Sequence, residues 1–187
     1  MKLSRTFVFS LVTLLALSGI ALSQTWTPLT NQPTFTASTP LLLTDGTIFV
    51  QSYGTGAWWK LTPDINGSYL NGTWSQQATM PSGYGPLYYG SAVLRDGRVI
   101  VEGGEYNFLS QVETKLGAIY DPVANKWTSV LAPSGWSNIG DGASAVLANG
   151  TYMQADALTS QEALLNATTL TWTTTGTGKA DSNSEEG

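Results

Sequence analysis

Short apolar segments separated by glycine-containing turns recur along the chain at an interval of roughly fifty residues. Three such turns are Asp45-Gly46, Asp96-Gly97 and Asn149-Gly150, which lie 51 and 53 residues apart. Three tryptophans recur in step with the turns: Trp74, Trp127 and Trp172. A repeat of this length is typical of solenoids and propellers, in which each unit buries its apolar faces against its neighbours.

The second repeat predicts four strands. Residues 90–94 and 99–102 are apolar segments joined by the Asp96-Gly97 turn, a strong hairpin signal. Gly103-Gly104 ends the second strand, where we expect another backbone to approach closely. A polar loop is expected over residues 105–115. The third and fourth strands are predicted at residues 117–121 and 126–130, with Trp127 pointing inward.

The other two repeats follow the same order. In the first, strands are predicted at residues 39–43, 48–51, 58–62 and 73–76. In the third, they are predicted at residues 143–147, 152–155, 162–166 and 171–174. Four short strands in each unit is the pattern of a propeller blade. We therefore predict an all-β fold with about three four-stranded propeller blades. The alternative is another antiparallel β fold, such as a sandwich.

The second repeat resembles the blade of kelch-repeat propellers, the galactose-oxidase-like group, in a secreted bacterial form. The resemblance rests on the Gly103-Gly104 pair, the Tyr120-Asp121-Pro122 segment and Trp127. The first repeat keeps Asp45-Gly46 and Trp74 but has Tyr53-Gly54 in place of the double glycine. The third keeps Asn149-Gly150 and Trp172 but has Ala155-Asp156 there. The resemblance implies a kelch-like propeller over about residues 26–172.

Propellers typically close with four to eight blades, and three blades cannot form a ring. The blades are expected at about residues 36–77, 87–130 and 140–175, with the start of a fourth at 176–187. We therefore expect residues 24–187 to be an incomplete ring and a segment of a larger propeller. If the protein is naturally this short, its exposed blade faces predict self-association.

The first 23 residues predict a secretory signal peptide. Lys2 and Arg5 precede an apolar stretch at residues 7–17, and Ala21 and Ser23 are small residues before a cut at Gln24. The stretch is shorter than the approximately twenty residues that a membrane anchor needs. A secreted or periplasmic location follows, with no membrane attachment after cleavage.

The composition limits the chemistry. The chain has 187 residues, a net charge of −5, no Cys and no His. The acidity argues against a nucleic-acid partner. The lack of Cys excludes a disulfide framework. Without His or Cys, serine–histidine and cysteine–histidine catalysis and the usual zinc sites have no residues to use. The resemblance implies copper radical oxidases as the nearest enzymes, but their His ligands and the Cys that is crosslinked to a Tyr ligand have no counterpart here. No cofactor or metal is expected.

The predicted strand order places several loops on one face. Connections between the second and third strands of a blade, and between blades, emerge at the same end of an antiparallel unit. These loops contain aromatic and acidic residues that suit a carbohydrate or peptide ligand. The candidates for ligand binding are Tyr53, Tyr84, Tyr106, Trp136 and Asp141. The alternative for each aromatic residue is that it fills a gap between blades.

Binding is therefore favoured over catalysis. The predicted function is a non-catalytic binding or scaffold module for a protein, a peptide or a glycan. The alternative is the N-terminal part of a secreted propeller enzyme whose catalytic residues lie in other blades. The candidates for a pair of carboxylates of the glycosidase type are Glu102, Glu105, Asp141 and Asp156.

Overall fold

The protein is described here by a computed structural model that covers residues 25–179 and Ser182. The predicted signal peptide at residues 1–23 and most of the predicted fourth-blade segment lie outside the described residues. Fifteen strands are present in the described part. They are β1 (Ala37–Leu42), β2 (Ile48–Ser52), β3 (Trp58–Thr62), β4 (Thr73–Gln76), β5 (Pro86–Leu87), β6 (Gly90–Val93), β7 (Val99–Glu102), β8 (Tyr106–Asn107), β9 (Ser110–Gln111), β10 (Gly117–Asp121), β11 (Lys126–Val130), β12 (Ser144–Val146), β13 (Tyr152–Ala155), β14 (Glu162–Asn166) and β15 (Thr171–Gly176). No helix in the described residues is long and apolar enough to cross a membrane.

Three four-stranded antiparallel sheets form the three blades. Their strand orders are β1-β2-β3-β4, β6-β7-β10-β11 and β12-β13-β14-β15. The prediction of an all-β propeller with four strands in each blade is confirmed, and no closed ring is formed by the described residues.

The turn between the first two strands has the same geometry in every blade. Gly46, Gly97 and Gly150 have φ values of 80°, 87° and 88°, a region that glycine enters at little cost. In each turn the side chain before the glycine accepts a hydrogen bond from the backbone N–H two residues further on, at 2.9, 3.1 and 2.9 Å. The three turns are therefore true structural equivalents.

Each of the three repeating tryptophans forms a hydrogen bond between its blade and the connecting segment that precedes the first strand of that blade. Their indole Nε1 atoms donate hydrogen bonds to backbone carbonyl oxygens at 3.0, 2.9 and 2.6 Å. The donor and acceptor pairs are Trp74 with Asn31, Trp127 with Ala78, and Trp172 with Leu131. Trp127 is buried, as its predicted inward orientation requires.

The core lies between neighbouring blades. Strand β7 is buried along its whole length. Val99 and Val101 pack into one cluster with Phe49 of the first blade. Ile100 packs into a second cluster with Tyr152 of the third blade. Because alternate side chains of a strand point to opposite faces, this apolar segment contributes to both interfaces.

The prediction of a polar loop over residues 105–115 is wrong in part. Strands β8 and β9 form a hairpin within it, and β8 also pairs with β5, which lies in the connection between the first and second blades. A small three-stranded sheet results, which joins the hairpin to the connection between these two blades. The hairpin turn consists of Phe108 and Leu109, residues without the turn chemistry that sequence patterns detect.

Candidate functional site

The loops that were predicted to share one end of the blades do so, and we call this end the loop face. It is formed by residues 53–57, 103–116 and 156–161 within blades and by residues 77–89 and 131–143 between blades. Backbone hydrogen bonds connect these segments: Met80 N to Gly56 O at 2.9 Å, Gly104 N to Gly140 O at 2.6 Å, and Ala157 N to Ile139 O at 3.0 Å. We call the opposite end, which carries the Asp-Gly and Asn-Gly turns, the turn face.

The double glycine of the second blade is explained by the contact that was expected there. Gly103 and Gly104 have φ values of 75° and 131°, which favour glycine. A Cβ on Gly103 would collide with the carbonyl oxygen of Gly140 and would lie 2.6 Å from Cγ2 of Ile139. The third blade's incoming connection therefore passes directly against this backbone.

The β8–β9 hairpin holds two bulky residues in an unusual backbone conformation. Phe108 and Leu109 have φ values of 49° and 66°, although side chains larger than Asn rarely occupy this region. A two-residue turn of type I′ needs positive φ at both positions and normally uses Asn or Gly. Such strain persists where surrounding contacts enforce it, and it is concentrated at functional sites.

The two residues at the tip of the hairpin pack against two glycines, one in the first blade (Gly54) and one in the connection that follows it (Gly85). A Cβ on Gly85 would lie 2.6 Å from the Phe108 ring, and a Cβ on Gly54 would overlap the Leu109 side chain. Asn107 adds two hydrogen bonds, since its Oδ1 accepts from Gly85 N at 2.8 Å and its Nδ2 donates to Gly83 O at 2.9 Å. The hairpin is therefore clamped to the loop face.

A pocket lined by three tyrosines lies beside the clamped hairpin. Tyr53, Tyr88 and Tyr106 surround a cavity of about 220 Å³ together with Leu87 and Leu109, and we call it the tyrosine pocket. The rings of Tyr88 and Tyr106 are 5.9 Å apart between centroids and inclined at 75°. Tyr53 and Tyr88 are 43% and 53% exposed, so a ligand can reach them.

The backbone and the hydroxyl group both fix the position of Tyr88. Its φ of 51° is again in the left-handed region, and its carbonyl oxygen accepts a hydrogen bond from Glu105 N at 3.1 Å. A hydrogen bond with the Tyr53 side chain raises the pKa of Tyr88, and the nearby negative charge of Glu105 acts in the same direction. The Tyr88 phenol therefore stays neutral at physiological pH.

A second cavity adjoins the tyrosine pocket and shares Tyr88 with it. It has a volume of about 410 Å³ and lies where the innermost strands of the second and third blades begin. The lining residues are Tyr88, Tyr89, Gly90, Ser91, Asp141, Gly142, Ala143 and Ser144. The small side chains on these strands leave the space, and Gly90 has no room for a Cβ because Gln154 Oε1 would lie 2.5 Å away.

Hydrogen bonds among buried polar residues lie behind the walls of the two cavities. The Tyr89 hydroxyl donates to Gln51 Oε1 at 2.9 Å, and Gln51 Nε2 donates to the carbonyl oxygens of Pro86 and Thr55 at 2.7 and 2.8 Å. In the third blade the Tyr152 hydroxyl donates to Gln154 Oε1 at 2.6 Å. Gln51 and Gln154 are fully buried, and their hydrogen bonds fix the walls of the cavities.

Glu102 occupies the position in the second blade that Gln51 occupies in the first, five residues after the turn glycine. Its side chain lies over Gly117, where a Cβ would overlap the carboxyl group. Glu102 is completely buried, and neither carboxyl oxygen has a hydrogen-bond partner. Burial raises the pKa of Glu102 well above its ordinary value and so favours the protonated, uncharged form of the group.

The structure brings some of the predicted ligand residues together and removes others from the surface. Tyr53 and Tyr106 line the tyrosine pocket, and Asp141 lines the adjoining cavity. Tyr84 and Trp136 are only 2% and 3% exposed. They fill gaps between loops and blades, which is the alternative that the sequence left open. The Tyr84 hydroxyl donates to Gly103 O at 2.8 Å.

Sequence reasoning did not select Tyr88, Leu87 or Leu109 for the site. Tyr88 is one of two adjacent tyrosines, and only the structure shows that Tyr88 is exposed while Tyr89 bonds to buried Gln51. The role of Leu109 depends on a hairpin that has no sequence signal. An isolated aromatic residue in a loop gives no indication of which neighbours it will meet.

The candidate carboxylates have different environments. Asp156 accepts hydrogen bonds from Asn138 Nδ2 at 2.6 Å and from Leu158 N at 2.9 Å, as a turn residue does. Glu105 accepts from Gln111 Nε2 at 3.3 Å at the edge of the loop face. Within the described residues, no group of three or more acidic residues could hold a metal ion.

Glu102→Gln is expected to stabilise the protein at neutral pH. Because the folded state holds the Glu102 proton more tightly than the unfolded chain, stability decreases as pH rises above the ordinary Glu pKa. Glutamine cannot ionise and so removes this dependence, and we expect a gain of about 1–3 kcal/mol near pH 7, since each unit by which folding raises a pKa corresponds to about 1.4 kcal/mol. Urea unfolding from about pH 4 to about pH 8 measures it.

The reverse substitution Gln51→Glu is the matched control. It removes the donor that bonds to Pro86 and Thr55 and should cost about 1–3 kcal/mol at neutral pH. A Glu102→Gln variant that is less stable than the parent at neutral pH would show that the Glu102 carboxyl is stabilised by its site.

Gly85→Ala is expected to displace the hairpin, because its Cβ would meet the Phe108 ring. Overpacking of this kind costs about 1–3 kcal/mol. Phe108→Ala vacates the space, so the double variant should lose less stability than the two single losses combined. A double-mutant cycle of unfolding free energies tests this. Additive losses would mean that Gly85 does not accommodate Phe108.

Comparison with known proteins identifies the fold. No protein-family model and no curated protein matches the sequence. Among solved structures, the chain is similar to a fungal alcohol oxidase of the AA5 family in complex with copper, at 21% identity and a TM-score of 0.57 over 85% of this chain and 33% of that chain. It is similar to YjhT at 18% identity and a TM-score of 0.56 over 82% of this chain and 54% of that chain.

A third similar structure is a catalytically inactive virginiamycin B lyase from Staphylococcus aureus with quinupristin. Its identity is 11% and its TM-score 0.55, over 83% of this chain and 46% of that chain. The chain thus spans between about a third and about half of the length of these three structures. At such identities the likeness establishes the fold alone, and that fold is the β-propeller.

Proposed function

We propose that the chain belongs to a non-catalytic binding or scaffold propeller of the kelch type, whose loop face binds a protein, a peptide or a glycan. The observation that carries the proposal is the exposed tyrosine pocket beside a clamped hairpin. Its walls come from the 53–57 loop, the connection between the first two blades, and the β8–β9 hairpin. A site that is formed before the ligand arrives loses less entropy on binding.

The composition supports binding in preference to catalysis. The sequence has neither His nor Cys, so the common nucleophile and base pairs have no residues in this chain. The most strongly perturbed carboxyl, Glu102, is enclosed by protein and is not part of the lining of either cavity. The proposal includes export to the periplasm or medium, on the basis of the apolar segment after Lys2 and Arg5.

The test is binding of the purified chain to a glycan array and to a displayed peptide library. We expect Tyr53→Ala combined with Tyr106→Ala to weaken retention of the best ligand at least about tenfold, since each ring contributes contact area in the pocket. Val123→Ala, at a side chain that is 96% exposed on the turn face, is the control and should leave binding unchanged. Ligands whose binding is equal in the parent and the double variant would argue against this site.

The second candidate is the N-terminal part of a secreted propeller enzyme. Its support is that the structurally similar proteins include an alcohol oxidase and a lyase, each much longer than this chain. For this candidate we expect the intact mass of the protein secreted by its native host to be well above 19.9 kDa. The additional blades would then contain His or Cys in loop-face positions. A secreted mass at or below that of the present chain would eliminate this candidate.

A further inference from the structure

The tyrosine pocket surrounds a small space on several sides and offers no single flat platform. Tyr88 and Tyr106 form a corner, because their rings are inclined at 75° with centroids 5.9 Å apart. Tyr53 forms a third aromatic wall, and its side chain is hydrogen-bonded to Tyr88. A sugar ring stacks best on one open ring face. A corner of rings suits a compact, rounded group that contacts several faces together.

The electrostatics of aromatic rings favour a positive charge in such a space. The face of an aromatic ring carries partial negative charge, and cations are attracted to it within about 6 Å of the ring centre. The Tyr88 phenol keeps its proton, so the rings contribute their faces and not a phenolate. Leu87 and Leu109 complete the lining with apolar surface, which suits alkyl groups around a charge.

The Glu105 carboxylate lies near the aromatic rings of the tyrosine pocket. The backbone N–H of Glu105 donates to Tyr88 O at 3.1 Å. The negative charge of the Glu105 side chain also contributes to the raised pKa of the Tyr88 hydroxyl. Its side chain accepts a hydrogen bond from the uncharged amide of Gln111. In the part of the chain that the structure describes, the Glu105 carboxylate has no salt bridge.

Acidic side chains outnumber basic ones on the loop face. The acidic side chains Glu105, Glu113, Asp141 and Asp156 lie on the loop face. The amino groups of Lys115 and Lys179 on that face are directed to backbone carbonyl oxygens. The opposite face carries Arg95 and Arg98 but also Asp45, Asp64, Asp96 and Asp121. With the four acidic side chains named above against two lysines, the loop face is net negative and attracts cations.

We propose that the tyrosine pocket is an aromatic cage for an organic cation, specifically an alkylated ammonium group carried on a peptide side chain or on a small molecule. This inference rests on the proposed binding function and narrows its ligand. The three rings contact the alkylated charge, and Glu105 supplies the compensating negative charge at the edge of the cage.

The experiment compares charged probes with uncharged probes of the same shape. The full chain is titrated calorimetrically with a peptide containing one trimethyllysine, with the same peptide carrying the uncharged tert-butyl analogue of that side chain, and with the unmodified peptide. Choline and its uncharged analogue 3,3-dimethylbutan-1-ol form the small-molecule arm. We expect the charged alkylated member of at least one pair to bind at least about tenfold more tightly than its uncharged analogue. The arm that responds identifies the source of the cation.

Substitutions in the tyrosine pocket test whether the charged probe binds there. Tyr106→Leu should weaken binding of the charged probe at least about tenfold, while Tyr106→Phe should retain most of it because the ring remains. Glu105→Gln should weaken it severalfold and reduce its salt dependence. Tyr69→Leu, at a tyrosine of the turn face, is the matched control. Near-ultraviolet circular dichroism checks the fold, and Tyr53→Leu replaces Tyr106→Leu if the latter does not fold.

The outcomes separate this inference from the proposed function. Equal affinity for the charged and uncharged members of both pairs overturns the cation cage. So does the absence of binding by either charged probe. If a neutral glycan or peptide still binds in a manner that requires Tyr106, the binding module stands with another ligand class. If no ligand of any kind depends on Tyr53 or Tyr106, both proposals fail.

Discussion

Burial of both faces of β7, the second strand of the middle blade, is the constraint on which the structure depends. In β7, Val99 and Val101 pack toward the first blade while Ile100 packs toward the third. A single four-stranded sheet cannot cover such a strand, so blades must stack in series. This stacking brings the connections of successive blades side by side, and the tyrosine pocket is assembled from them.

The site shows how a strained local structure can be maintained by its surroundings. Phe108 and Leu109 adopt a turn that their side chains disfavour, and Gly54 and Gly85 provide the space that makes it compatible with the fold. The hydrogen bonds of Asn107 add to this. The pocket is thus a property of the contact between two blades and cannot be transferred with the hairpin alone.

The blades could be predicted from sequence because their signals are local. Asp45-Gly46, Asp96-Gly97 and the apolar segments around them specify hairpins over a few residues. The β8–β9 hairpin could not be predicted, since its turn residues favour no turn and its stabilising glycines lie more than twenty residues away in sequence. Tyr53 and Tyr84 look alike as loop residues, and only packing decides that one is exposed and the other buried.

The tryptophan bonds have a consequence for the evolution of such chains. Trp74, Trp127 and Trp172 each bond to the connection that enters their own blade, and not to one that leaves it. A gene segment that encodes one blade and its preceding connection therefore encodes both the tryptophan donor and the carbonyl acceptor of this hydrogen bond. Duplication or loss of such a segment changes the number of blades without separating a donor from its acceptor, which favours growth of propellers by whole units.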